Sequence, residues 1–242
     1  MFTLYQNEWL KLRRQFIWMI ILFVPFIGVC LGTFSFTASY DLLVDGGNEW
    51  YAFWTQITFF YGLFIYPILS GIFAAIICRN EHLHGGWKHQ LSLPLSRTKV
   101  FLAKLFLVYS LLFLTQLILL LTALAVGLQV TAQTNPPLLF LIGAVTAGWV
   151  ASFPLTIIQL WISINIRSFV VPLGINLFFV FGSLAAMVMG IEKLYPWAHP
   201  SIAMASPEEA NSTLEDLSIF TVSYLVVLVT YCVCRFNRKE MI

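Results

Sequence analysis

Six long apolar runs decide what this chain can become. They cover residues 16–36, 53–78, 100–128, 138–164, 170–190 and 217–235, and none has an Asp or Glu at its middle. A helix needs about 20 mainly apolar residues to cross the hydrocarbon core of a bilayer. In lipid every backbone polar group must find its partner inside the protein, which leaves helices as the form for runs of this length. The expected fold is all-α and integral to the membrane, with six transmembrane helices. Composition agrees: of 242 residues, 60% are hydrophobic and 10% charged, where a soluble domain carries about 25% charged residues. The second and third runs are longer than the core is thick, so tilt or projection beyond the bilayer is expected. Pro25, Pro67, Pro154 and Pro172 fall inside runs and predict kinks that neighbouring helices can tolerate. The first run exceeds the 7–15 residues of a signal-peptide core and reads as a retained span.

Basic residues set the orientation. Lys11, Arg13 and Arg14 precede the first run; Arg79, Lys88, Arg97, Lys99 and Lys104 surround the second connection. Arg167 lies in the fourth connection, Arg235, Arg238 and Lys239 follow the last run, and only Lys193 falls on the other side. The positive-inside rule then puts both termini in the cytoplasm. The opposite loops carry Asp41, Asp45, Glu49, Glu192, Glu208, Glu209, Glu215 and Asp216. Trp50, Tyr51 and Trp54, with Tyr195 and Trp197, are expected in an interfacial aromatic belt. A formal net charge of +2 gives no footprint for nucleic acid. Cys30, Cys78, Cys232 and Cys234 lie in or beside apolar runs, imply no disulfide framework, and leave the one C-x-C pair without a second.

Three segments stand out against this frame. In residues 1–15, Phe2, Tyr5, Trp9, Leu12 and Phe16 recur at spacings of three and four, with Asn7, Lys11 and Arg14 opposite. That period makes an amphipathic interfacial helix, in which Trp9, Leu12, Arg13 and Arg14 are the expected anchoring residues. It serves equally as a membrane anchor or as a surface for a partner. The second segment is 79–99, RNEHLHGGWKHQLSLPLSRTK. Gly85-Gly86 breaks a continuous helix, Trp87–Leu93 suits a short helix stopped by Pro94, and Ser96 is the expected N-cap of the third span. Trp87, Leu91 and Leu93 on a bare loop would be a liability, which favours a docked partner over a solvated connection. His82, His84 and His89 share the segment with Glu81, but neither in H-E-x-x-H order nor in its inverse, and no metal site is expected. The third segment, 190–216, is punctuated by Pro196, Pro200 and Pro207 and too apolar for a free loop. Short pieces that re-enter or lie on the outer leaflet are expected there.

Two residue sets inside the spans complete the candidates. Gly28 with Gly32, and Gly182 with Ala186, form small-residue faces that allow close helix contact, as between two copies of the chain. Gln56, Gln116, Gln159 and Asn176 are polar residues in lipid-buried runs, where they face protein or a cavity. Hydrogen bonds between helices and contacts along a substrate path are the two readings.

The combination resembles the permease subunits of ABC-2 type transporters. The resemblance rests on QNEWLKLRR at the start, on EHLHGGWKHQLSLPLSRTKVFLAK after the second run, and on YPWAHP before the last. Glu81, Gly86, Leu93, Pro94, Ser96, Arg97 and Lys104 stand where that family repeats its own residues. Topology and spacing carry the likeness over essentially the whole chain as one domain, and Pro196-Trp197 with Pro200 is most similar to bacitracin-resistance and lantibiotic-immunity permeases. The resemblance implies a bacterial cytoplasmic-membrane location, a second permease (a copy or a relative) and two separate ATPase subunits that hold ATP and Mg. It makes 79–99 a coupling helix seated on the ATPase, with Glu81, Gly86, Trp87, Lys88, Leu91, Leu93, Pro94, Ser96 and Arg97 as its residues. The expected cargo is amphiphilic, with an antimicrobial peptide, a lipid, a drug and a polysaccharide all open as its form.

Energy would have to come from a partner, since G-x-x-x-x-G-K-[ST] is missing from the sequence. An ion-coupled secondary carrier would want a charge relay at mid-membrane. An intramembrane enzyme would want a nucleophile–base or metal set at that depth. A non-transporting scaffold subunit remains a further alternative on sequence alone.

Overall fold

The computed structural model describes residues 2–13, 15–44, 48–83, 86, 96–131, 135–205 and 213–238. Among the described residues six helices are long and apolar enough to cross a membrane: Ile17–Ala38, Glu49–His82, Arg97–Val130, Leu138–Asn165, Val170–Val188 and Ile219–Phe236. They are called spans 1 to 6. No strand occurs among the described residues. A separate helix, Phe2–Leu12, precedes span 1. Arg79, Arg97, Arg167 and Arg235 fall at one end of the bundle, the basic end; Glu49 and Glu192 fall at the other, the acidic end.

Prolines shape spans 2 and 4. In span 2, residues Thr58–Ile65 form a π-helix, and Tyr66 N–H donates to the Tyr61 carbonyl five residues back. An α-helix resumes at Tyr66 with Pro67 in its first turn. Pro67 has no N–H to give, so the wide turn ends where the ordinary ladder could not run through. Span 4 breaks at Ser152 into Leu138–Ala151 and Phe153–Asn165, and Pro154 sits in the first turn of the second piece. Pro is tolerated there because first-turn N–H groups lack helical acceptors anyway. Pro25 lies within span 1, whose helix runs on through it from Ile17 to Ala38.

Span 1 packs mainly on spans 2 and 3, and span 2 also meets spans 4 and 5. The core between them is aromatic: Trp50, Trp54, Tyr61, Tyr66, Phe36, Phe53, Phe73 and Phe101 are fully buried. Phe34, Leu139, Phe178 and Val188 are 75% or more exposed. An apolar surface of this extent belongs against lipid.

Two expectations are corrected here. Trp50, Trp54 and Trp197 lie inside the protein rather than in a belt facing the interface. Trp54 Nε1 donates to the Met204 carbonyl at 2.8 Å, and the Trp197 ring stacks on Phe179 with centroids 4.6 Å apart. Span 2 accordingly starts at Glu49, four residues before the apolar run does.

At the acidic end the chain leaves span 5 through a Schellman turn. Gly190 takes φ +69°, Ile191 N–H reaches the Ala186 carbonyl at 3.0 Å and Gly190 N–H the Met187 carbonyl at 3.2 Å. A left-handed residue at this position strongly favours Gly. A single 3-10 turn, Glu192–Leu194, follows. Then a short helix, His199–Ala203, has all its residues buried. It packs against the first half of span 4 and against the π-helix. A Cβ on Gly62 would stand 3.1 Å from the Ser201 backbone, so the missing side chain permits this approach.

Candidate functional site

The N-terminal helix meets the bundle at the basic end. Leu12 is buried, and Tyr5 and Trp9 are half-buried beside it. Tyr5 donates its hydroxyl to Ser110 on span 3 at 3.0 Å. Trp9 meets Trp18 edge to face, and Trp18 Nε1 donates to the Leu12 carbonyl at 3.2 Å, closing the turn into span 1. The expected amphipathic face is present with one exception: Phe16 is 82% exposed, because the helix stops at Leu12 and the turn rotates residue 16 away. Arg13 is exposed, and Arg14 lies outside the described residues.

Glu8 belongs to the packed face and is 4% exposed. Its partner is Lys104 on span 3, which is fully buried. Lys104 Nζ donates to Glu8 Oε2 at 2.8 Å and to Glu81 Oε1, at the end of span 2, at 3.1 Å. Lys11 Nζ closes the set from its edge, 2.7 Å from Glu8 Oε1 and 2.7 Å from Glu81 Oε1. Two carboxylates and two ammonium groups thus join three chain segments in one neutral network. Burial pushes the Glu8 carboxyl up, but Lys104 and Lys11 outweigh it and hold the group below its ordinary range, so it stays ionised. Burial pulls Lys11 down, and its bonds to Glu8 and Glu81 more than reverse that, raising it. A buried charge is tolerated only when paired and hydrogen-bonded, and each of these is.

Glu81 and Gly86 are brought together. A Cβ on Gly86 would stand 2.9 Å from the Glu81 Cα, so only Gly lets the chain fold back there. Nearby, His82 Nε2 bonds the Ser163 carbonyl of span 4 at 2.9 Å. The Arg79 guanidinium lies over the Phe169 ring, 5.6 Å from its centroid. Ser96 takes the N-cap position before Arg97, but its side chain makes no capping bond. Trp87, Lys88, Leu91, Leu93 and Pro94 lie outside the described residues, as do His84 and His89.

The expected dimer-contact residues are occupied within the chain. A Cβ on Gly28 would strike the Tyr61 ring at 2.8 Å, and one on Gly32 the Ile57 backbone at 2.7 Å. Gly182 sits against the Tyr195 hydroxyl, and Ala186 is buried. The small faces of Gly28 and Gly32 therefore seat span 2 on span 1 within the chain.

The polar span residues also find partners within the chain. Ser35 donates to Gln56 Oε1 at 2.8 Å, joining spans 1 and 2. Asn176 Nδ2 donates to the Pro67 carbonyl at 2.9 Å, and Asn176 Oδ1 accepts from Gln159 Nε2 and Trp197 Nε1, each at 2.8 Å. That one amide ties spans 2, 4 and 5 to the segment after span 5. Gln116 is fully buried, with Nε2 3.6 Å from Met204 Sδ. In this conformation Gln159 and Asn176 tie helices together, while the Oε1 atoms of Gln116 and Gln159 are buried without a hydrogen-bond partner among the described residues.

The sequence does not single out Glu8, and it marks Lys104 only as a basic residue of the second connection and as a position that ABC-2 permeases repeat, without pairing the two. The available signal was joint: Glu8 shares the Tyr5–Leu12 stripe at helical spacing, and Lys104, seven residues after Arg97, is the charged residue deepest in span 3. A cation buried at that depth demands an acid.

The family model described as ABC-2 family transporter protein matches residues 4–183, well over half of the chain. The match takes in the whole ion network and spans 1 to 5 nearly to the end of the fifth. No curated protein matches the chain.

Proposed function

The chain belongs to the ABC-2 transporter family and is a membrane subunit of an ABC transporter, and on that premise we propose that it exports an amphiphilic cargo on energy from a separate ATPase. The supporting observation is the buried network of Glu8, Lys11, Glu81 and Lys104. It binds the N-terminal helix to the end of span 2 and the start of span 3, which border residues 79–99, the segment assigned to coupling.

In this proposal the basic end faces the cytoplasm. Two ATPases, holding ATP and Mg, close on each other and displace the coupling segments of two permeases. The network makes the N-terminal helix, the end of span 2 and the start of span 3 move as one body. Span 2 carries the displacement to its π-helix, whose Gly62 abuts Ser201 of the short buried helix. The segment 190–216 then acts as a re-entrant gate, and its shift opens the way outward. The second permease meets lipid-facing residues of spans 1 and 5, because Gly28 and Gly32 are covered within the chain. An antimicrobial peptide is one cargo with the required amphiphilic character.

A detergent pull-down of tagged chain from its native host, read by mass spectrometry, tests the assignment. Recovery of a P-loop ATPase in stoichiometric amount is expected. Recovery of the chain alone would overturn the exporter and favour a secondary carrier or a scaffold.

A further inference from the structure

A cavity of about 410 Å³ opens at the acidic end, between span 2, the tip of span 5 and the segment that follows it. Thr58, Phe59, Met187, Glu192, Ser201 and Ile202 form most of its wall. Phe59, Met187 and Ile202 make one side of it apolar. Two polar groups of the wall have no partner among the described residues: the Thr58 hydroxyl and Glu192 Oε2, both shielded from solvent. Thr58 is 5% exposed. Its free hydroxyl breaks the habit of the chain, since Thr33, Thr55, Thr122, Thr146 and Thr156 each donate to the carbonyl four residues back.

A shielded carboxylate oxygen without a donor is costly, and a cation relieves that cost. Glu192 is the one charged residue among the described residues of the wall. Among the residues whose side chains are described, this end carries Asp41, Glu49 and Glu192 against Lys193, an acidic balance that concentrates cations and disfavours anions. The volume falls within the ~300–1,000 Å³ of small-ligand sites.

We propose that this cavity is a binding subsite for an organic ammonium with an attached hydrocarbon chain. The ammonium pairs with Glu192 and donates to Thr58, and the chain lies along Phe59, Met187 and Ile202 toward lipid. The inference deepens the exporter reading by naming the class of its cargo, and it rests on that reading for the direction of movement, not for binding.

The test uses the full chain in nanodiscs of neutral phosphatidylcholine and two photoreactive probes, dodecylammonium and uncharged dodecanol, each with a diazirine near the chain end. Cross-links are mapped by peptide mass spectrometry. Dodecylammonium should label the wall peptides containing Phe59 and Met187. Glu192→Gln should lower that labelling about tenfold while leaving dodecanol labelling unchanged. Thr58→Val, which removes only the hydroxyl, should lower it by a smaller factor, and Ile202→Trp should exclude both probes by filling the space. Thermal unfolding of each variant identifies any that fails to fold. Equal labelling of Glu192→Gln and the unchanged chain by dodecylammonium overturns the subsite. Because labelling needs no ATPase, its loss leaves the exporter assignment to the pull-down. Specific labelling with no ATPase recovered keeps the subsite and overturns the exporter.

Discussion

Lys104→Met is expected to cost about 3–5 kcal/mol of folding stability, the range for breaking a buried ion pair from one side. The methionine fills nearly the same space. What it removes is the only fully buried cation of the network, leaving Glu8 and Glu81 with Lys11, whose side chain is 42% exposed. Within the network, two buried carboxylates then share one half-solvated cation. Pairing Lys104→Met with Glu8→Gln should recover part of the loss, since one of the two uncompensated acids is gone. Thermal unfolding in nanodiscs measures both variants. A single-variant change within about 0.5 kcal/mol, the ordinary range for a surface site, would show that the network does not hold the basic end together.

The second large effect is expected at Asn176. Asn176→Leu keeps the volume and removes three hydrogen bonds at once. It strands the buried Gln159 amide and the Trp197 indole, which both use Asn176 Oδ1. Hydrogen bonds between membrane helices average about 0.6 kcal/mol and reach about 1.7, and an orphaned buried group adds roughly 1–3. A loss of about 2–4 kcal/mol is therefore expected. It should be accompanied by faster proteolysis within 190–216, because the Trp197 tie is one that fixes that segment to span 5. An unchanged cleavage rate would mean that the other ties of the segment, such as the Tyr195 hydroxyl on the Phe179 carbonyl and Trp54 on the Met204 carbonyl, hold it without Asn176.

These two sites show what the sequence could and could not reveal. The six spans were legible because length and hydropathy are properties of one segment at a time. Their ends agree with the structure within a few residues, except where Trp50 and Trp54 lie inside. A helix that is apolar nearly all round carries no periodic mark separating its protein side from its lipid side. For the same reason, the small faces at Gly28 and Gly32 could be recognised as contacts but not assigned to a partner, and Tyr61 and Ile57 of the same chain occupy them. The N-terminal helix was legible from its period, but Glu8 was not, because an acid on an apolar stripe acquires meaning only when Lys104 is seen beside it. Asn176, Gln159 and Trp197 are 17 and 21 residues apart along the chain, and no local pattern announces that they share one amide. The π-helix of span 2 left only Pro67 as its trace.

The most direct test of the central claim is ATP turnover by the complex recovered with the tagged chain, reconstituted in nanodiscs, with Leu91→Asp beside the unchanged protein. Leu91 belongs to the segment assigned to the ATPase, and a carboxylate there cannot be seated in an apolar cleft. The account predicts at least about a tenfold fall in turnover with membrane insertion unchanged. Turnover equal to that of the unchanged protein would contradict it, because the segment between spans 2 and 3 would then not be where ATP hydrolysis is felt.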